Sequence, residues 1–333
     1  MKSKRSFLLM SLACWLFSCS LGFAVTLEKD WTQRFSQGLA PVETAGKWGY
    51  IDKTGRVTIN QIFDSASRFS EGLAAVRVGD KYGYIDNTGK IIIEPTFESA
   101  QSFSEGVAAV MLNSQWIYID PTGKTVINVP CDDADMFSDG LARIHVGSQY
   151  GYIDKSGRMV INPWYLGAGR FSDGLAPVQV TGKWGYIDKT GNVAISPQFD
   201  QVDIFSDGVA AAQANGKWGY IDKSGRTVIS PWYDGASRFS GGLAPVATSD
   251  RWGYIDKTGK TVVNPWYDQA NYFSDGVASV KTLGKWGYID TTGDMAVQPQ
   301  YDDADPFFEG IARVTLYGHT AYIDKQGKPI WNP

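Results

Sequence analysis

Three short runs in this chain carry the letters of a phosphoryl-accepting aspartate: Asp52-Lys53-Thr54-Gly55, Asp188-Lys189-Thr190-Gly191 and Asp256-Lys257-Thr258-Gly259. In that chemistry one carboxylate attacks a phosphate, and a threonine follows the glycine. Here Arg56, Asn192 and Lys260 follow instead. An Asp three residues before a Gly is also the composition of a tight turn, in which the carboxylate accepts N–H bonds from its own loop. The Asp recurs in nine places, whereas a phosphoryl-transfer centre is needed once, inside an α/β domain. The turn reading is therefore taken for Asp52, Gly55, Asp188, Gly191, Asp256 and Gly259.

Other reactive constellations are missing from the sequence. The only histidines, His145 and His319, lie far apart, and no H-x-x-x-H, C-x-x-C or G-x-S-x-G run occurs. The aspartates lack the alternating spacing of a calcium loop. Cys131 stands where seven other copies of a repeated segment carry Phe or Tyr, and it reads as a small buried apolar residue. No catalytic residue, metal site or cofactor is expected. The sharpest binding signal is a variable position that holds Ile62, Thr96, Pro130, Trp164, Gln198, Trp232, Trp266 and Gln300 in turn. A position that accepts Thr and Gln is not deep core, so Trp164, Trp232 and Trp266 are candidates for stacking on sugar rings or anchoring a protein. The competing reading packs them on the connection to the next unit.

These residues are placed by a repeat. W-G-Y-I-D starts at Trp48 and returns, exact or varied, at Tyr82, Trp116, Tyr150, Trp184, Trp218, Trp252, Trp286 and Thr320, always 34 residues on. F-S-x-G-[LVI]-A keeps the same beat from Phe35 to Phe307. Such a period means a solenoid, propeller or array whose units bury their apolar faces against their neighbours. The glycines and prolines leave no room for paired helices. Within the second copy, Leu73–Val78 and Lys81–Asp86 read as strands, the latter central because it is apolar on both faces. Ala74, Val76 and Val78 share the buried face of the first, with Ala75 and Arg77 on a more exposed one. Asp86–Gly89 is a turn, and Lys90–Glu94 a third strand ended by Pro95.

The ends and the charge bound the setting. Lys2, Lys4 and Arg5 precede an apolar run from Ser6 to Leu21, which reads as an export signal cut after Ala24. Leu16-Phe17-Ser18-Cys19 offers a rival cut, with lipidation at Cys19 as the one route to a membrane. Loss of the three basic residues takes the formal charge from −4 to −7, a balance ill suited to nucleic acid. The Arg56 phase forms a basic row and the Glu71 phase an acidic one, both read as solvated turns; the basic row could alternatively meet an anionic polymer or lipid head groups.

Lys47-Trp48-Gly49-Tyr50-Ile51-Asp52-Lys53-Thr54-Gly55 and its copies resemble the WG (KWG) repeat family of bacterial proteins. The match spans the chain after the leader, departing at Ile117 and at Thr320-Ala321. The resemblance implies β-rich repeats, often exported, without a general catalytic activity. The W-x-Y-x-D…G rhythm is also faintly similar to choline- and glucan-binding repeats of cell-wall proteins. Residues 1–24 are thus expected to be a signal peptide and residues 25–333 a single all-β array. That array is expected to be nine three-stranded antiparallel units in an open, twisted solenoid-like superhelix, with a β-propeller as the alternative. The atypical ninth copy reads as a cap facing water. The expected role is a non-enzymatic scaffold for a protein partner at the cell envelope, periplasmic, surface-bound or extracellular. A carbohydrate or cell-wall module using the tryptophan row is the alternative.

Overall fold

The computed structural model describes residues 33–332, so the leader, its cut and Cys19 lie outside the described residues. It is built of nine small antiparallel sheets, one per repeat. The second is typical: Ser65–Ala66, Leu73–Val78, Lys81–Asp86 and Ile91–Phe97, lying in sequence order across the sheet. The expected three strands are present, with a two-residue strand added where a loop was foreseen. In the first sheet, Leu39–Thr44, Lys47–Asp52 and Val57–Phe63, the position of that short strand falls at 31–32, outside the described residues.

The sheets are blades of a closed ring, not turns of an open solenoid. Between successive blades a tyrosine hydroxyl donates to a carbonyl 17 residues on, Tyr50 to Ser67 and Tyr288 to Asp305, each at 2.7 Å. Tyr322 of the ninth blade donates to the carbonyl of Gln33 at 2.7 Å across 289 residues, which is nine periods less 17. The N–H of Gly106 donates to Glu71 Oε2, 35 residues back. That of Gly38 donates to Glu309 Oε2 across 271 residues, nine periods less 35. Lys155 meets Glu105 at 3.1 Å, and Lys53 meets Glu309 at 2.9 Å in the same relation. The Phe35 ring lies edge-on to Tyr322 at 5.5 Å, as Phe103 does to Tyr84 at 4.9 Å. Blade 9 therefore contacts blade 1 as any blade contacts its successor, which makes a nine-bladed β-propeller of about 40° per step.

A constant rotation per unit closes a ring when the last face fits the first, and nothing in a repeat's own pattern announces the step. Phe308 and Trp331, two of the unusual residues of the ninth copy, sit at that closure instead of facing water, while Ala321 packs toward blade 8. Arg34 lies over the Phe308 ring at 4.1 Å, and Trp331 packs beside Tyr322 in the cluster of Phe35, Ala40 and Val42. In this ring each core lies between two blades: Leu39, Tyr50, Ile59 and Phe63 face Ala66, Phe69, Ala74, Val76 and Ile85. That is why Ala75 is buried, contrary to the expected half-exposed face, while Val78 at the strand end is exposed. Blade stacking covers both faces of the second and third strands, and the fourth, with most of its positions open to solvent, forms the rim.

Candidate interaction surface on the rim

The W-G glycine and the repeat proline shape the rim. In the fourth blade Tyr150 pairs with Tyr165 and Tyr152 with Ile161, so the rim strand holds two extra residues in that interval. They form a bulge that turns Asn162-Pro163-Trp164 outward. A Cβ on Gly151 would stand 2.6 Å from the Ile161 carbonyl oxygen, so only glycine lets the bulge close. Proline has no N–H to lose where the ladder is broken. The residue at this position is consequently presented to solvent whatever its type, and Ile62 (after Gln61), Thr96, Gln198 and Gln300 are exposed like their tryptophan counterparts.

Trp164, Trp232 and Trp266 are 72 %, 74 % and 70 % exposed. They stand on the rim strands Met159–Tyr165, Thr227–Tyr233 and Thr261–Tyr267 of blades 4, 6 and 7. Two of the three are on adjacent blades, and Gln198 occupies the gap on blade 5. Val228 and Ser230 precede Trp232 on the exposed face, as Val262 and Asn264 precede Trp266. The rim thus offers bare indoles with aliphatic and hydrogen-bonding companions. Such a surface can anchor a partner but holds no nucleophile, acid–base pair or metal cage. Among the described residues no group of three or more His, Cys, Asp or Glu could hold a metal ion.

The tryptophans of the W-G motif behave differently. Trp116, Trp218 and Trp286 are buried, the others half-buried. Trp184 and Trp252 pack so closely on Gly167 and Gly235 that a Cβ on either glycine would lie 2.9 Å from the ring. They are structural, and two sets of tryptophan with the same period serve opposite surroundings.

The aspartates of the three D-K-T-G runs are consumed by their turns. Asp52 Oδ1 accepts from Thr54 N–H at 2.9 Å, Thr54 Oγ1–H at 2.6 Å and Arg56 N–H at 3.1 Å. Asp188 and Asp256 repeat this set with Thr190 and Asn192, and with Thr258 and Lys260. The threonine hydroxyl bond, chiefly, holds these carboxyls below their ordinary range. Gly55, Gly191 and Gly259 take positive φ near +85° to complete the turn. A Cβ at Gly55 would also strike the Ile330 carbonyl oxygen at 1.9 Å, across the ring closure. The turns therefore pack each blade on its predecessor.

The acidic row also departs from expectation. Glu71, Glu105, Asp139, Asp173, Asp275 and Glu309 each accept from a glycine N–H of the next blade. They sit at positive φ just before a glycine, which aims the carboxylate across the interface. The lysine of the turn motif comes back to the same carboxylates, as Lys155 does to Glu105. This stripe links blades while it stays in contact with water. Sequence reading missed it because the partner lies about one period away, beyond the reach of any local rule. His145 stacks on Tyr150 at 4.6 Å and shares no contact with His319.

Comparison with known proteins agrees with this architecture. A family model described as a WG-containing repeat matches nine times, at residues 30–48, 48–82, 82–116, 118–148, 150–184, 184–218, 218–250, 252–286 and 286–318. No curated protein matches the chain. Among solved structures, a crystal structure of a eukaryotic initiation factor is similar at a TM-score of 0.64, with 9 % identity, covering 88 % of this chain and 95 % of that one. At 9 % identity the likeness concerns the fold alone. The computationally designed Ika8 protein gives a TM-score of 0.48 at 13 % identity, over 80 % of this chain and 94 % of its own. The nine matches keep the 34-residue period of the blades and take in nearly every described residue: the chain belongs to the WG-containing-repeat family.

Proposed function

We propose that this protein is an exported, non-catalytic scaffold at the cell envelope that binds a protein partner through the rim of blades 4 to 7. The observation that carries the reading is the row of Trp164, Trp232 and Trp266, each at least 70 % exposed at a position the fold turns outward. Exposed indoles lose little side-chain entropy on binding and bury large area, which is why tryptophan dominates interface hot spots. Val228 and Val262 beside two of them favour a protein, because aliphatic side chains add contact area with an apolar partner and nothing to sugar stacking. Export is supported by the basic and apolar leader ahead of the ring, with attachment through Cys19 if the lipidation cut is used.

Asn264 and Ser230, two residues before their tryptophans, support a second reading, since carboxamide and hydroxyl groups beside an indole suit a polysaccharide. One comparison separates the two. Wild type and Trp164→Ala/Trp232→Ala/Trp266→Ala are crosslinked in intact cells, and each is co-sedimented with cell-wall sacculi. The protein reading expects one identified partner that crosslinks to wild type and is lost from the triple variant. Sedimentation of wild type alone, with no such partner, would replace it by wall binding. Equal behaviour of both proteins in both assays would overturn the rim as the site.

A further inference from the structure

The junction between blades 3 and 4 breaks the pattern of the others in two linked ways. In seven other blades the rim strand ends in Phe or Tyr, paired with the first aromatic of the W-G motif, as Phe199 is with Trp184 and Tyr267 with Trp252. In blade 3 the corresponding residue is Cys131, and the rim strand Thr125–Asn128 stops before reaching it. Ile117 replaces the W-G glycine and pairs with Asn128, so its Cβ excludes the close backbone approach on which the bulge depends. Val129 of the rim chain turns in beside Trp116, which is buried, and the ring that the other blades hold at the Cys131 position is absent.

An open cleft of about 430 Å³ lies here, lined by Trp116, Val129, Pro130, Cys131 and Val146. Gln115 and Asn128 supply carboxamides at its edge. Its one carboxylate, Asp132, already accepts the Gly147 N–H at 2.6 Å. Burial, with help from Asp133 and Asp132, pushes the Cys131 thiol up to about 11, so the cleft wall carries no thiolate at neutral pH. Pockets of about 300–1,000 Å³ with apolar walls and a few polar groups are the usual dimensions of small-ligand sites.

We propose that this cleft is a binding site for an uncharged single-ring aromatic molecule, seated where the other blades seat their own Phe or Tyr ring. The ring would lie against the Trp116 indole, and a hydroxyl substituent would reach the Gln115 or Asn128 carboxamide. The site is independent of the rim tryptophans.

The probe is p-cresol, the tyrosine side chain as a free molecule, titrated into the full chain by calorimetry. Wild type and the triple rim variant should bind it saturably with the same affinity. Cys131→Tyr, which restores the ring of the repeat, should bind at least about tenfold more weakly, because the slot is filled. Unsaturable binding to wild type, or undiminished binding to Cys131→Tyr, would overturn the proposal, as would loss of binding in the rim variant. Should Cys131→Tyr fail to fold, wild type alone decides. Saturating p-cresol should slow alkylation of Cys131, followed by peptide mass spectrometry, at least about threefold as the occupied cleft excludes the reagent. An unchanged rate would refute it.

Discussion

Two rows of residues circle this ring, one of buried tyrosines and one that includes the exposed tryptophans, and they share little except their period. The tyrosines of W-G-Y-I-D, from Tyr50 to Tyr322, are no more than 1 % exposed, and each donates its hydroxyl to the carbonyl of the following blade. Burial pushes these phenols well above their ordinary titration range, so they remain donors at any working pH. The variable row near the end of the rim segment is exposed throughout and holds Ile, Thr, Pro, Trp or Gln. The tyrosine row is held constant where each blade must fit two neighbours, and the ring places almost no demand on an outward bulge. The fixed row maintains the ring, and the variable row is free to carry recognition.

The comparison breaks most severely if the ring is opened. Deleting residues 302–333 would leave two raw blade faces, among them Phe35, Ala40, Val42 and Ile51. An open array would lose one interface and keep the rest; the closed ring should lose its single cooperative thermal transition, followed by circular dichroism. Next comes Tyr254→Ala, which empties a buried ring site and should cost about 3–5 kcal/mol in urea unfolding. Tyr254→Phe removes only the bond to the Asn271 carbonyl and should cost about 1 kcal/mol. If the two substitutions cost the same, the phenol ring is not what the interface depends on.

A weaker lever is acid. Bonds from the Ser156 and Ser224 hydroxyls, above all, hold the turn carboxyls Asp154 and Asp222 at about 2 in the folded protein. Their folded values lie below the unfolded one near 4, so their contribution is complete above that pH and is lost as pH falls toward 2. The thermal midpoint should therefore drop between pH 4 and 2, and less steeply in Asp154→Asn/Asp222→Asn; parallel curves would show that the turns do not carry the acid sensitivity. Smallest is the effect of removing the variable row. Trp164→Ala/Trp232→Ala/Trp266→Ala should change stability by less than about 0.5 kcal/mol per site, the range of surface substitutions. A larger loss would return these residues to structural packing.

Much of the blade was legible from neighbouring residues. Gly55 and Asp52 announce a turn because the carboxylate reaches only its own loop, and the bonds found there are local. Lys81–Asp86 reads as central because both its faces are apolar, and it lies between Leu73–Val78 and the rim strand. Ala75 was misjudged because alternation along one strand cannot show a second blade lying on its other face. The exposure of Trp164, Trp232 and Trp266 could be inferred from the residues that replace them. The cleft beside Cys131 could not, since it needs the early end of the rim strand at Asn128 as well as the missing ring.

The sequence by itself determined the period, the nine units, the all-β character and the turn chemistry, because all of these rest on interactions within about one unit. Only the tertiary structure decided that the ninth blade meets the first. Closure depends on the rotation summed over nine interfaces, and bonds such as Glu309 to Gly38 join residues 271 apart. Tertiary structure also decided that the acidic row joins blades and that one junction holds a cleft, since both arise where two units meet.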